Sequence, residues 1–302
     1  MRKVIVCLMV LMTLPSFAQK KDKDFNKLVK ETNKLLDVLF SMSPLENCTL
    51  KEYGLSHTDE RIRDYRGYPI ATDTDVILQV NVMSFYRDRI NENIQSILNY
   101  PSIIQYDLVG LLHHVQVAKS EDGRLYILKY YEDDGGSMAF FRTFIHYRSE
   151  HNGVVNHFPV YNIAESGDPN APFEENGYDS IYTIKTTAGN KYLLFGVGQS
   201  CHTCVSNCFE LVSYKDSNFV KEFNSFATSR AWNTTVTYDK KDTVIDVLFY
   251  SDDVNGGCIC SDTFQDEKRR NHSCHYIYKF NGSTFELKKQ EIEFLPPEKE
   301  EE

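Results

Sequence analysis

Six cysteines sit in two short stretches of the C-terminal half. The first stretch is Cys201-His202-Thr203-Cys204-Val205-Ser206-Asn207-Cys208. The second is Cys258-Ile259-Cys260, followed further on by Cys274-His275. Three chemistries use such spacing. Thiols that meet in an oxidising compartment pair as disulfides, in more connectivities than spacing alone can choose among. Thiolates joined by His202, His272 or His275 make a tetrahedral zinc site. A Cys-x-x-Cys at a helix N-terminus is a redox couple, because the helix end lowers a thiol pKa. Here the pair falls between expected strands, which counts against redox chemistry, and no His follows it, so it is no haem attachment motif. The disulfide reading leads, with Cys201, Cys204, Cys208, Cys258, Cys260 and Cys274 as crosslink candidates. Cys48 stands apart, either as a buried thiol or as a partner for one of the six.

Carboxylates form the next candidate set. Asp133-Asp134 and Asp252-Asp253 each close an expected strand. Paired carboxylates bind cations or work as acid and base, but sequence neighbours seldom face each other, and Asp before Gly is ordinary turn chemistry. Both pairs are therefore read first as turn residues, with binding-loop contact as the second reading and no catalytic role assigned. The stretch 251–273 also carries Asp262, Asp266, Glu267, Lys268, Arg269, Arg270 and His272, and long loops are where binding concentrates. Asp73 and Asp75 lack the glycine and terminal glutamate of a calcium loop. His113-His114 falls at the start of an expected strand, where neighbours point to opposite faces and do not share a metal ion. Ser200 lacks the following glycine of a nucleophile elbow, and the sequence holds no phosphate loop, zinc-protease motif or dinucleotide fingerprint. No catalytic residue, cofactor or metal is assigned. The absence of motifs leaves enzyme activity open, because many hydrolases carry no short motif.

The elements that position these groups fall into two textures. Phe25, Leu28, Val29, Leu36, Leu39 and Phe40 recur at helical spacing beside Lys20, Lys21, Lys23, Lys27, Lys30 and Lys34. This predicts an amphipathic helix that docks on a core, shows lysines to water and ends before Pro44. A second helix is predicted over 84–99, with Ser84 as N-cap and Asn99-Tyr100-Pro101 as its stop. From residue 113 onward, short Tyr-, Phe-, Val- and Ile-rich runs alternate with turn clusters, the pattern of antiparallel strands. They are expected at 113–118, 124–131, 138–147, 154–160, 179–186, 190–197, 208–214, 218–223, 232–238, 243–250, 274–280 and 284–288. Residues 161–177 read as a loop.

Cys208-Phe-Glu-Leu-Val-Ser-Tyr214 lies over Cys274-His-Tyr-Ile-Tyr-Lys-Phe280 at an offset of 66. A segment ending at Tyr147 fits the same template. The β region is thus a candidate three-fold repeat of four-stranded meanders, whose units must stack on one another to bury their faces. The fold class expected is mainly β, with antiparallel repeated meanders, propeller-like or as stacked sheets, and an N-terminal α-helical segment. The expected organisation is a signal peptide at 1–18, a helical or mixed segment at 19–112, the β domain at 113–293 and an acidic tail at 294–302.

The chain has 302 residues, a formal net charge of −10, and 19 Tyr and 19 Phe, enough aromatic surface for a sizeable core. Its acidity disfavours nucleic acid as a partner. Arg2 and Lys3 precede an apolar run from Val4 to Leu14, and Ser16-Phe17-Ala18 offers small residues for cleavage after Ala18. The run is shorter than the ~20 residues that span a bilayer. The mature protein is therefore expected to be exported, periplasmic or extracellular, without a transmembrane anchor after signal cleavage.

The ending Phe17-Ala18-Gln19 is one of several shared features. Another is a helix ending Asn99-Tyr100-Pro101 ahead of a Ser120-Glu-Asp-Gly123 turn, then a strand into Asp134-Gly-Gly-Ser-Met138. On these the chain resembles a group of uncharacterised secreted proteins of Bacteroidetes-type bacteria. The resemblance implies no activity and assigns no functional residue. The expected role is a noncatalytic extracytoplasmic binding or envelope protein, whose ligand is an unknown envelope or extracellular one. The alternatives are a hydrolase of glycan or another polymer using loop carboxylates, and a Cys/His zinc-binding structural domain.

Overall fold

The computed structural model describes residues 23–294 except 60, 64–67, 133–139, 152–153, 158–160, 163–172, 174–176, 200–203, 217, 231–233 and 252–271. The expected signal and the acidic tail lie outside the described residues. The chain divides into two compact units. The first is Met1–Val117, Glu132–Gly135 and Phe144–Tyr161; the second is Ala118–Tyr131, Gly136–Thr143 and Asn162–Glu302.

In the first unit, helix α1 spans residues 23–39. It buries Phe25, Thr32, Leu36 and Leu39, and leaves Lys23, Lys27, Lys30 and Lys34 exposed. Phe25 packs on Tyr106 and Tyr100, with ring centroids 4.4 and 5.1 Å away. Thr32 survives burial because its hydroxyl donates to the Leu28 carbonyl at 2.8 Å. Strands β1 (Asn47–Cys48) and β2 (Ile77–Leu78) pair, and β2 runs directly into helix α2, Gln79–Leu98. Its N-cap position is Leu78, with no side-chain cap, so the predicted start at Ser84 is corrected by more than a turn. The strand pairing, rather than a capping hydroxyl, fixes where α2 begins. Val82, Phe85, Ile90, Ile94, Ile97 and Leu98 form its buried stripe, and Asn99 closes it as predicted.

After α2 comes a short 3-10 turn, Ile103–Gln105, and from Gln116 on the described elements are antiparallel strands. Sheet I holds β3 (Gln116–Lys119), β4 (Leu125–Glu132), β5 (Phe140–His151) and β6 (Val154–His157) in that order, with β7 (Tyr161–Asn162) also on β5. That short strand falls where a continuous loop was expected. Sheet II is a meander of β8 (Gly177–Thr186), β9 (Gly189–Gln199), β10 (Cys204–Lys215) and β11 (Asn218–Arg230). Sheet III repeats it with β12 (Thr234–Asp239), β13 (Val244–Ser251), β14 (His272–Phe280) and β15 (Phe285–Phe294). The mainly antiparallel β fold with an N-terminal helical segment is the one the chain adopts. No strand pair joins one sheet to the next among the described residues.

β11 and β15 run well past their expected ends, and the reason is a bulge in each. The register of β10 on β11 shifts between Leu211 and Val212, and that of β14 on β15 between Ile277 and Tyr278. Glu222 and Lys288 are the extra residues. A bulge slips the two-residue alternation by one step, so the apolar period that marks a strand appears to stop there.

Sheets II and III stack face to face. Ile184, Leu193, Phe209 and Leu211 of sheet II meet Ile245, Val247, Phe249, Cys274, Tyr276 and Tyr278 of sheet III, with Phe195, Phe223, Tyr182 and Tyr238 around them. Phe209 and Tyr278 meet edge to face at 5.6 Å. Tyr238 is pushed up to about 12 by burial, then by Glu121 and Asp239.

Candidate functional site

The most unusual chemistry in the described residues is built on a bulge. β8 pairs regularly with β9 except between Tyr178 and Ser180, where Asp179 is the extra residue. Bulges re-aim side chains, and here the Asp179 carboxylate pairs with the ammonium of Lys129 on β4. Lys129 sits in the apolar run Leu125-Tyr-Ile-Leu-Lys-Tyr-Tyr131, and its side chain is only 5% exposed. Its ammonium also donates to the Gly177 carbonyl at 2.9 Å and lies 4.6 Å from the Phe141 ring centroid. A Cβ at Gly177 would stand 2.7 Å from a Phe141 ring carbon, so a larger residue would have to displace that ring. Beside this cluster the buried Tyr178 hydroxyl donates to Glu210 at 2.7 Å, and Glu210 is wholly buried in β10. Asp179 itself is 44% exposed. A buried cation thus fixes one side of a carboxylate whose other side meets solvent. Such a group can accept hydrogen bonds from a ligand without reorganising.

A second charged cluster lies at the bulge in β11. Glu222 accepts from Lys191 of β9 and from Lys215 and Ser213 of β10. The Lys191 ammonium also donates to the Ser283 carbonyl at 2.6 Å, and the Thr284 hydroxyl donates to the Glu222 carbonyl at 3.0 Å. The cluster therefore ties sheet II to the β14–β15 turn. Burial raises the pKa of Glu222, but the hydrogen bonds from Lys191, Lys215 and Ser213 outweigh it and hold it below the ordinary range.

The turns at that end of the strands are tied as well. Asp122, in the β3–β4 turn, accepts from Ser120 at 2.6 Å, from Asn190 in the β8–β9 hairpin at 2.8 Å, and from the Tyr192 hydroxyl at 2.8 Å. Its pKa is lowered, since these bonds outweigh its burial. Glu121 pairs with Lys240 of the β12–β13 turn, and its backbone N–H donates to Thr183.

The sequence-derived candidates fare differently. Cys201, Cys258, Cys260, Asp133, Asp134, Asp252 and Asp253 lie outside the described residues, as does the side chain of Cys204. Cys208 was expected as a crosslink; it is a buried thiol, as is Cys48. Cys208 lies four residues inside β10, where its sulfur covers Gly196 of the neighbouring strand, away from the strand end that Cys204 opens. Burial raises the pKa of Cys48, and Glu52 adds to it. Cys274 is wholly buried in β14, opposite Phe249.

His113 and His114 also depart from expectation. β3 begins only at Gln116, and His114 takes a left-handed turn conformation with φ 58°. Both imidazoles therefore reach the same oxygen of Asp37 on α1, at 3.0 and 3.2 Å, and His114 stacks on Phe40. Hydrogen bonding from His113 lowers the pKa of Asp37, and His114 adds to it. Among the described residues no group of three or more His, Cys, Asp or Glu is arranged to hold a metal ion. Asp73 and Asp75 serve as turn caps, accepting from the backbone of His57 and of Thr72.

No protein-family model, no curated protein and no solved structure matches this chain. The site therefore speaks only through its own chemistry. Lys129, Asp179, Glu210 and Glu222 escaped the sequence reading. The available signal was a lone charge inside an apolar strand run, as in Tyr126-Ile-Leu-Lys129-Tyr and Cys208-Phe-Glu210-Leu-Val. Such a residue must be paired when both faces of its sheet are covered.

Proposed function

We propose that the protein is an exported, noncatalytic binding protein of the cell envelope. Its contact surface lies at the strand ends remote from the tied turns. The observation that carries this reading is the use made of the described acidic groups: Asp122, Glu121, Glu210 and Glu222 bind strands and sheets to one another. A polymer hydrolase instead sets two carboxylates about 5–10 Å apart across a cleft. By strand polarity, Asp133-Asp134 and Asp252-Asp253 follow the ends of β4 and β13 that face away from the tied turns. They supply polar contacts to the ligand in this reading, with Asp179 as a fixed acceptor.

Disulfides among Cys201, Cys204, Cys258, Cys260 and Cys274 hold that end together in the same reading. Cys274 is the third residue of β14, at that same end of the strands. The test is to purify the exported protein and offer it panels of envelope glycans and peptides, recording both binding and turnover. Binding without turnover supports the proposal. Turnover that is lost in Asp134→Ala or Asp252→Ala overturns it in favour of a hydrolase. A non-reducing peptide map with a metal assay decides the crosslinks: stoichiometric zinc with reduced cysteines replaces them by a metal site.

A further inference from the structure

The two bulges give sheets II and III a common numbering. Leu211/Val212 and Ile277/Tyr278 stand 66 residues apart, and so do the bulged Glu222 and Lys288. Strand pairing extends the correspondence. Leu211 pairs with Leu193 and Phe209 with Phe195, whereas Ile277 pairs with Asp246 and His275 with Leu248. Phe223 opposite Leu211 matches Lys289 opposite Ile277. The face of sheet II carrying Leu193, Phe195, Phe209, Leu211 and Phe223 thus corresponds to the face of sheet III carrying Asp246, Leu248, His275, Ile277 and Lys289.

These equivalent faces do not meet. Sheet II presents its set to Cys274, Tyr276 and Tyr278, which lie on the opposite face of sheet III. The sheets are stacked head to tail, an arrangement that leaves the last copy with an open face of the same kind. On sheet II this face is core. On sheet III the equivalent residues are half-buried or exposed, and three of the five are polar. A chain of charges crosses them: Asp246 to His275 at 2.9 Å, His275 to Glu291 at 3.6 Å, and Glu291 to Lys289 at 2.9 Å.

We propose that the outer face of sheet III is a stop face, which ends the sheet stack in water and denies docking to a second copy of the chain. Stacked repeats need such a polar outer face to stay soluble. The stack is then open at this end rather than closed into a propeller ring, and the ligand surface proposed above lies elsewhere.

The test is to write the sheet II residues onto sheet III as Asp246→Leu, His275→Phe and Lys289→Phe, in the full-length exported protein. Light scattering over a hundred-fold range of concentration should show the triple variant gaining mass relative to wild type, with circular dichroism unchanged. The converse variant, Phe209→His, should lose the folded signal, because its equivalent position is core. In the wild type, Lys289 should be acylated by acetic anhydride at the rate of an exposed lysine, and the half-buried, ion-paired His275 should react with diethyl pyrocarbonate more slowly than a free imidazole but at a rate that does not change with protein concentration. Protection of Lys289 at ordinary protein concentration, or a His275 rate that falls as that concentration rises, overturns the proposal, since the face would then be covered. A folded triple variant with wild-type mass at every concentration overturns it as well. If the triple variant misfolds, the labelling rates alone decide.

Discussion

Replacing Glu222 by Gln removes the charge that joins three strands of sheet II to the β14–β15 turn. Lys191 is 6% and Glu222 11% exposed, so neither is served by bulk water. In the variant the Lys191 ammonium keeps the Ser283 carbonyl and can still donate to the amide oxygen of the introduced glutamine, but it loses its counter-charge. Leaving one member of a buried ion pair without its counter-charge costs about 3–5 kcal/mol. The reverse truncation, Lys191→Met, is milder. Glu222 retains Lys215 and Ser213, and the methionine fills the space of the lysine stem, so the loss is about 1–2 kcal/mol. The double variant should be no worse than Glu222→Gln alone, because the stranded ammonium is gone. Urea unfolding followed by circular dichroism measures all three. A Glu222→Gln protein within about 1 kcal/mol of wild type would refute the reasoning. So would a Lys191→Met protein less stable than Glu222→Gln, since it would place the cost on the wrong partner.

Gly196→Ala should destabilise by about 1–3 kcal/mol, because its Cβ would stand 2.9 Å from the Cys208 sulfur and 3.2 Å from the Tyr178 backbone. Adding Cys208→Ala should return part of that loss in thermal melts. Acidification should weaken the turn end in a defined direction. Asp122 and Glu222 have folded pKa values below their unfolded ones, so their stabilisation is present above about pH 4 and is lost as pH falls through the folded values. Urea midpoints that stay constant or rise from pH 5 to pH 3 would contradict this. Cys48 and Cys208 should resist a thiol reagent in the native protein and react on unfolding, as mass spectrometry of the labelled peptides would show. Gly177→Ala should lower stability by about 1–3 kcal/mol, read from the urea midpoint, because its Cβ would stand 2.7 Å from a Phe141 ring carbon.

The strands were legible because most of this β region alternates cleanly. Leu125–Glu132 and Val244–Ser251 fall within a residue of their expected spans. Where alternation breaks, the reading broke with it, as at Glu222 and Lys288. The start of α2 was misread because β2 hands its backbone directly to the helix, leaving no capping residue to see. His113 and His114 were assigned to opposite faces on the premise of a strand. The left-handed turn at His114 has no local marker, since glycine or asparagine would ordinarily announce it. Lys129 and Glu210 were hidden for a different reason. A residue inside an apolar run says that its surroundings are dry, but its partner sits 50 or 32 residues away and only the folded chain reveals it.

The tied turns have a mechanical consequence. Asp122, Glu121, Lys240, Lys191 and Glu222 all act at the same end of the strands, as a binding does along the spine of a book. Thermal opening is then directional: pages part first at the free margin and last at the spine. Amide exchange should follow that order along β9 and β13. An affinity tag inserted at the Asn281–Thr284 turn would pull on the stitching itself, whereas one at the opposite margin would leave it intact.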